Sequence, residues 1–221
     1  MPLTKTGLTG NQLKIIAMIA MTCDHVGLQL LPQFPILRVI GRLALPVYAY
    51  MIAEGCRHTR DRRKYLLRLA SLAALCQIVY FVAMGSLYQC ILVTFSLSVC
   101  LICLADDWRR GKHWRFFGAL GVVFFLCVVL PELWQGTDFA IDYGLPGVLL
   151  PLFIYLGSMK GLSLGLVLLA LSTGGTQWFA LAALPLLMRY NGQRGTANIG
   201  RLFYWYYPAH LVVIYGLSLL L

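Results

Sequence analysis

Charge is scarce in this chain. Only 12% of its 221 residues are charged, and just 8 of them are acidic. No polar stretch is long enough for a separate soluble fold, so residues 1–221 are expected to form one integral membrane domain. Without a basic domain of its own, the net charge of +10 does not point to nucleic acid. The seven cysteines are odd in number and sit in or beside apolar runs, which excludes a disulfide framework. Cys100 and Cys103 share one apolar run and read as small packing residues, so no metal site is expected. The first apolar run also lacks Ala-x-Ala cleavage chemistry and reads as an uncleaved span.

What remains is hydrophobic: 60% of residues, with a mean hydropathy of +0.77. That composition predicts an all-α fold, a polytopic membrane helical bundle. Nine apolar segments can be marked, at roughly 13–31, 36–56, 65–84, 88–105, 116–133, 145–157, 161–172, 176–188 and 202–221. The sixth to eighth fall short of the roughly 20 residues a crossing needs, so eight or nine transmembrane segments are expected. Sixteen of the 18 Lys and Arg residues lie on alternate loops, which predicts a cytoplasmic N-terminus. The exceptions are Arg38 and Arg42. Gly161-x-x-x-Gly165 allows close helix packing. The aromatic run from Phe203 to Tyr207 reads as an interfacial belt.

Asp24 and His25 interrupt the first span. An Asp at the bilayer centre costs about 3 kcal/mol even on lenient scales, so the pair needs a reason. Lys14 precedes His25 by eleven residues. On a helix that is three turns plus about 20°, so both lie on one face about 16 Å apart. Lys14 then sits at the membrane surface and His25 near the middle. His210, eight residues into the last span and just after Pro208, reaches a similar depth. Each histidine is either a proton-transfer group or a buried polar residue that fixes packing. Asp24 points about 100° away from His25 and is expected to orient a group on another helix. Arg42 is the deeper arginine and the expected partner of Asp24 or of an anionic intermediate. Arg38 is expected to snorkel to headgroups.

Arg57, Arg60 and Arg63 recur every three residues after the second span. They suit phosphate groups, or an anchor on anionic membrane lipid. Glu54 is placed to pair with that basic loop. Asp142, ahead of Tyr143-Gly144, either caps the next helix or meets a substrate amine. Intramembrane Asp, His and Arg serve equally in an enzyme or in a proton-coupled small-molecule transporter.

Leu13-Lys14-Ile15-Ile16-Ala17-Met18 leading to Asp24-His25-Val26-Gly27 resembles the opening motif of the TraX family. So do Gly41-Arg42-Leu43-Ala44-Leu45-Pro46, Glu54-Gly55 with His58-Thr59-Arg60 and Lys64-Tyr65, Asp142-Tyr143-Gly144 with Gly147-Val148-Leu149-Leu150, and Tyr207-Pro208-x-His210. The likeness runs over nearly the whole chain, with one departure at Gln89-Cys90, where the pattern has Asn. The TraX family is tied to conjugative transfer and N-terminal acetylation of pilin. The Lys14–His25 spacing and Arg57-x-x-Arg60 also resemble the wider transmembrane acyltransferases. The resemblance implies a multi-pass protein of the bacterial inner membrane. It would move acetyl from cytoplasmic acetyl-CoA to an amine or hydroxyl at the outer side, a pilin N-terminus among the acceptors. His25 would be the essential histidine, with Asp24, Arg42 and His210 around it and Arg42 or His210 steadying the oxyanion. Lys14, Arg57, Arg60 and Arg63 would serve the donor, and Asp142 and Tyr143 the acceptor.

Overall fold

The computed structural model describes residues 6–196 and 200–220. Lys5 lies outside the described residues, as do the side chains of Arg109, Arg201, Phe203 and Tyr204. Among the described residues the fold is all-α, with two isolated β-bridges and no strand. Ten α-helices follow in order: α1 Gly10–Gln29, α2 Pro35–Gly41, α3 Ala44–His58, α4 Arg62–Met84, α5 Ile91–Arg109, α6 His113–Phe124, α7 Leu130–Leu133, α8 Gly144–Thr173, α9 Ala183–Met188 and α10 Gly200–Ser218. A π-turn at Phe125–Val129 joins α6 to α7, and a 3₁₀ segment at Gly175–Ala182 leads into α9. Among the described residues, five helical stretches are long and apolar enough by length and composition to cross a membrane: Pro35–His58, Arg62–Val82, Ile91–Trp108, His113–Leu133 and Gly144–Thr173, the last of them interrupted at Ser158. The chain divides into two compact units, one of residues up to Met51 with Thr173 onward, the other of Ile52–Ser172.

In the first unit, α1 opens on a capping box. The Thr9 hydroxyl accepts from the Gln12 amide while the Gln12 side chain accepts from the Thr9 N–H at 2.8 Å. Gly10 and Asn11 donate their amides to the carbonyls of Gln193 and Arg194, tying the start of α1 to the chain ahead of α10. α2 crosses α1 closely because two glycines clear the way. A Cβ at Gly27 would lie 2.7 Å from that of Leu37, and one at Gly41 would collide with the Asp24 side chain. The helix breaks between Gly41 and Ala44 because Pro46 has no N–H for the Arg42 carbonyl.

In the second unit, the Asp61 carboxylate accepts from the Lys64 amide and starts α4, and Gly85 ends it in the left-handed region at φ 64°. α8 is not one rod. Ser158, at φ 50° and ψ −126°, breaks it. A Cβ at Gly161 would strike the Phe153 carbonyl, and one at Gly165 would lie 2.6 Å from a Leu150 methyl. Residues 161 and 165 therefore face 153 and 150, as in two antiparallel arms folded about Ser158. Each arm has about 14 residues and about 20 Å of length, too short for a hydrocarbon core of about 30 Å. The expected sixth and seventh segments are these arms, and Gly161-x-x-x-Gly165 is their contact stripe. The eighth segment is the 3₁₀ stretch plus α9, again short of a crossing.

Candidate functional site

In the first unit, α1 and α10 bring His25 and His210 together. The His210 Nε2 lies 3.4 Å from the His25 Nδ1, and the ring centroids are 5.0 Å apart. The backbone settles the tautomers. His25 Nδ1 lies 2.8 Å from the Met21 carbonyl, and His210 Nδ1 lies 2.8 Å from the Tyr206 carbonyl. A carbonyl oxygen only accepts, so both Nδ1 atoms carry the proton. In the neutral rings each Nε2 then holds a lone pair. That of His210 faces the N–H of His25, and that of His25 is left as a base. Tyr206 stacks on His210 with ring centroids 5.2 Å apart and planes 9° from parallel. Its hydroxyl pairs with that of Thr22, one turn before His25 on α1.

Asp24 points elsewhere, as its helical phase demands, and holds α1 to α2. Arg38 donates to one carboxylate oxygen and Arg42 to the other, each at 2.6 Å. The expectation that Arg38 snorkels to headgroups is therefore corrected: the close crossing at Gly41 puts the carboxylate within its reach. Arg42 is buried. Its Nε donates to the Arg38 carbonyl at 3.3 Å and its Nη1 to Gln177 Oε1 at 3.1 Å. With its donors so engaged, Arg42 organises the cluster and is poorly placed to steady an oxyanion. In its neutral tautomer His210 has no proton on Nε2 to offer one either. Lys14 is partly buried on α1, three turns before His25.

In the second unit the arginine triad is split. Arg57 turns inward: it pairs with Glu54 at 2.7 Å and donates to the carbonyls of Ile154 and Tyr155 at 2.6 and 3.0 Å. These are acceptors left over where α8 breaks. Arg60 and Arg63 instead line a cavity of about 820 Å³, shared with Arg62, Arg110, Lys112 and Arg115. The expected cluster of Arg57 with Arg60 and Arg63 is corrected accordingly. The Asp142 carboxylate accepts from the Tyr88 hydroxyl at 2.7 Å, and its carbonyl accepts from Thr94 at 2.8 Å. Tyr143 follows at φ 58°.

Sequence reasoning missed Gln177. It is 1% exposed, its Oε1 is held by Arg42, and its Nε2 has no partner among the described residues. A glutamine inside an apolar stretch was the available signal. Arg110, Lys112 and Arg115 were counted only as loop charge, because nothing local in sequence joins them to residues 60–63.

No solved structure matches the chain. A probable fimbrial assembly protein, FimC of serogroup H1, from Dichelobacter nodosus is 41% identical over 73 residues, covering 31% of this chain and 30% of that protein. An uncharacterized protein of Rickettsia prowazekii is 55% identical over 38 residues, covering 17% of this chain and 15% of its own length. The chain thus spans less than a third of the length of these curated relatives. The family described as TraX protein matches residues 9–218, nearly the whole chain, and the chain therefore belongs to the TraX family.

Proposed function

We propose that the protein is a membrane-embedded acetyltransferase that takes acetyl from acetyl-CoA and passes it to an amine or hydroxyl acceptor. The observation that carries this reading is the state of His25. Its Nδ1–H is bonded to the Met21 carbonyl and faced by His210, so the basic Nε2 is oriented and available. His25 Nε2 takes the proton of the acceptor as the acceptor's nitrogen or oxygen bonds the acetyl carbon. It then returns that proton to the departing thiolate, leaving His25 neutral again. His210 acts as a positioning residue, holding the ring of His25 through its Nδ1–H. Asp24, Arg38 and Arg42 keep α1 and α2 locked around the histidine.

The residues suit the phosphate end of the donor as well. Arg60 and Arg63 are the proposed contacts, while Arg57 is committed to the break in α8 and drops out of that role. Lys14 stays assigned to the donor and Asp142 and Tyr143 to the acceptor. A pilin N-terminus is the proposed acceptor, in keeping with the fimbrial assembly name of one relative. The bacterial inner membrane is the proposed location.

The deciding experiment follows labelled acetyl from acetyl-CoA to a pilin peptide or small amine in proteoliposomes. His25→Ala should abolish transfer while the protein still inserts. Full transfer by that variant would overturn the role of His25. Solute uptake without acetyl-CoA would point to a transporter instead.

A further inference from the structure

The cavity beside Arg60 and Arg63 has two walls, and the second comes from a loop that the acetyltransferase reading does not use. Residues 59–63 form one wall, and the end of α5 with the turn into α6 forms the other. Gly111, at φ 85°, makes that turn, and both its neighbours, Arg110 and Lys112, line the cavity.

The acids in the lining are already matched. Arg62 and the Tyr155 hydroxyl hold Asp106. Arg115 holds Asp107 at 2.6 Å. Asp61 caps α4 and lies 3.5 Å from the Lys64 ammonium. Four cations are left around one space with no acidic partner among the described residues: Arg60, Arg63, Arg110 and Lys112. Like charges gathered on a concave wall raise the local potential and draw anions in. The space, about 820 Å³, is the size of a small-molecule site and far larger than one ion needs. Guanidiniums on both walls match phosphate oxygens by paired N–H donors.

We propose that this cavity binds a ligand carrying at least two phosphate groups, held between Arg60 and Arg63 on one wall and Arg110 and Lys112 on the other. The proposal rests on the acetyl-CoA reading only for the name of a soluble source, the nucleotide end of the donor. The same chemistry is offered by a diphosphate lipid headgroup.

The test uses the full-length protein in neutral detergent and in nanodiscs. One arm titrates adenosine 3′,5′-bisphosphate, with orthophosphate as the single-phosphate comparison. The other measures retention of cardiolipin from mixed-lipid nanodiscs. The wild type should bind one of these probes saturably, at least tenfold better than orthophosphate and more weakly as salt rises. Arg110→Gln with Lys112→Gln should weaken that binding at least tenfold, and Lys112→Arg should keep it. Unchanged affinity in the double variant overturns the proposal, as does the absence of saturable binding in both arms. If the double variant does not fold, the wild-type salt dependence decides: a flat profile overturns the proposal. Loss of acetyl transfer with phosphate binding intact would sink the acetyltransferase and leave the cavity standing. Normal transfer with an unchanged KM for acetyl-CoA in the double variant, and no phosphate binding, would do the reverse.

Discussion

The Nε2 of His210 faces the Nδ1 of His25 at 3.4 Å, although the two residues are 185 positions apart in the chain. Each ring is fixed by the carbonyl one turn before it, so the pair has a defined proton inventory. Imidazole nitrogen shifts in histidine-labelled protein at neutral pH should show both residues as Nδ1–H tautomers. An Nε2–H signal from His25, identified by its loss in His25→Ala, would remove the basis for its role as a base.

Replacing His210 removes an acceptor without touching the base. His210→Phe should keep the stack on Tyr206 and leave protein folded. Acetyl transfer should fall about 10- to 100-fold, less than the roughly 100- to 10,000-fold expected for a group that itself transfers the proton, with kcat changed more than KM. A KM effect alone would show that His210 serves substrate binding instead.

Asp24 is the hub of the α1–α2 contact. Asp24→Ala leaves the buried Arg42 and the partly buried Arg38 without their carboxylate, at a cost of about 3–5 kcal/mol. The double variant Asp24→Ala with Arg42→Met should recover part of that loss, read by thermal unfolding in detergent. Simple additivity of the two changes would mean that the pair is not coupled.

Much of this arrangement was legible beforehand, and the reasons differ by residue. Apolar run length located the helices, and helical phase turned Asp24 away from His25. The depth argument paired His25 with His210 because both helices are regular over the stretch that matters. Arg38 was misplaced because its reach depends on Gly41, whose missing Cβ brings α2 against Asp24. That is a three-dimensional fact with no local signature. Arg57 was grouped with Arg60 and Arg63 by spacing, but the chain leaves the helix at residue 58, and a three-residue spacing keeps a face only within a helix. The break at Ser158 is legible as the gap between the 145–157 and 161–172 segments, but the packing of the two arms is not, because the approach of Gly161 to the Phe153 carbonyl has no local signature.

The α8 hairpin gives a contrast within one residue type. Gly161→Ala places a methyl against the Phe153 carbonyl and should cost roughly 1–3 kcal/mol of stability. Gly118→Ala, on α6 with open space around it, should be neutral or slightly stabilising. Equal thermal shifts for the two would refute the antiparallel packing of the arms.

Outside the helices, the Ser86 hydroxyl and the Leu87 amide donate to Asp138 and hold its carboxyl below the ordinary 3.8. The contact is fully present above pH 3.8 and is lost as pH falls through the lower folded value. The protection of the Leu87 amide, its exchange rate relative to the intrinsic rate at the same pH, should fall on acidification below that point, and Asp138→Asn should flatten the dependence. An acid response that survives Asp138→Asn would assign it to another group.

The double grip on Asp24 bears on how the chain enters its membrane. The carboxylate belongs to α1, but both guanidiniums come from α2 and the break that follows it. Its partners are made 14 and 18 residues later, so any burial of α1 in apolar surroundings carries an uncompensated carboxylate until they emerge. Biogenesis would then handle residues 10–58 as one insertion unit, with charge neutralisation as the event that commits it.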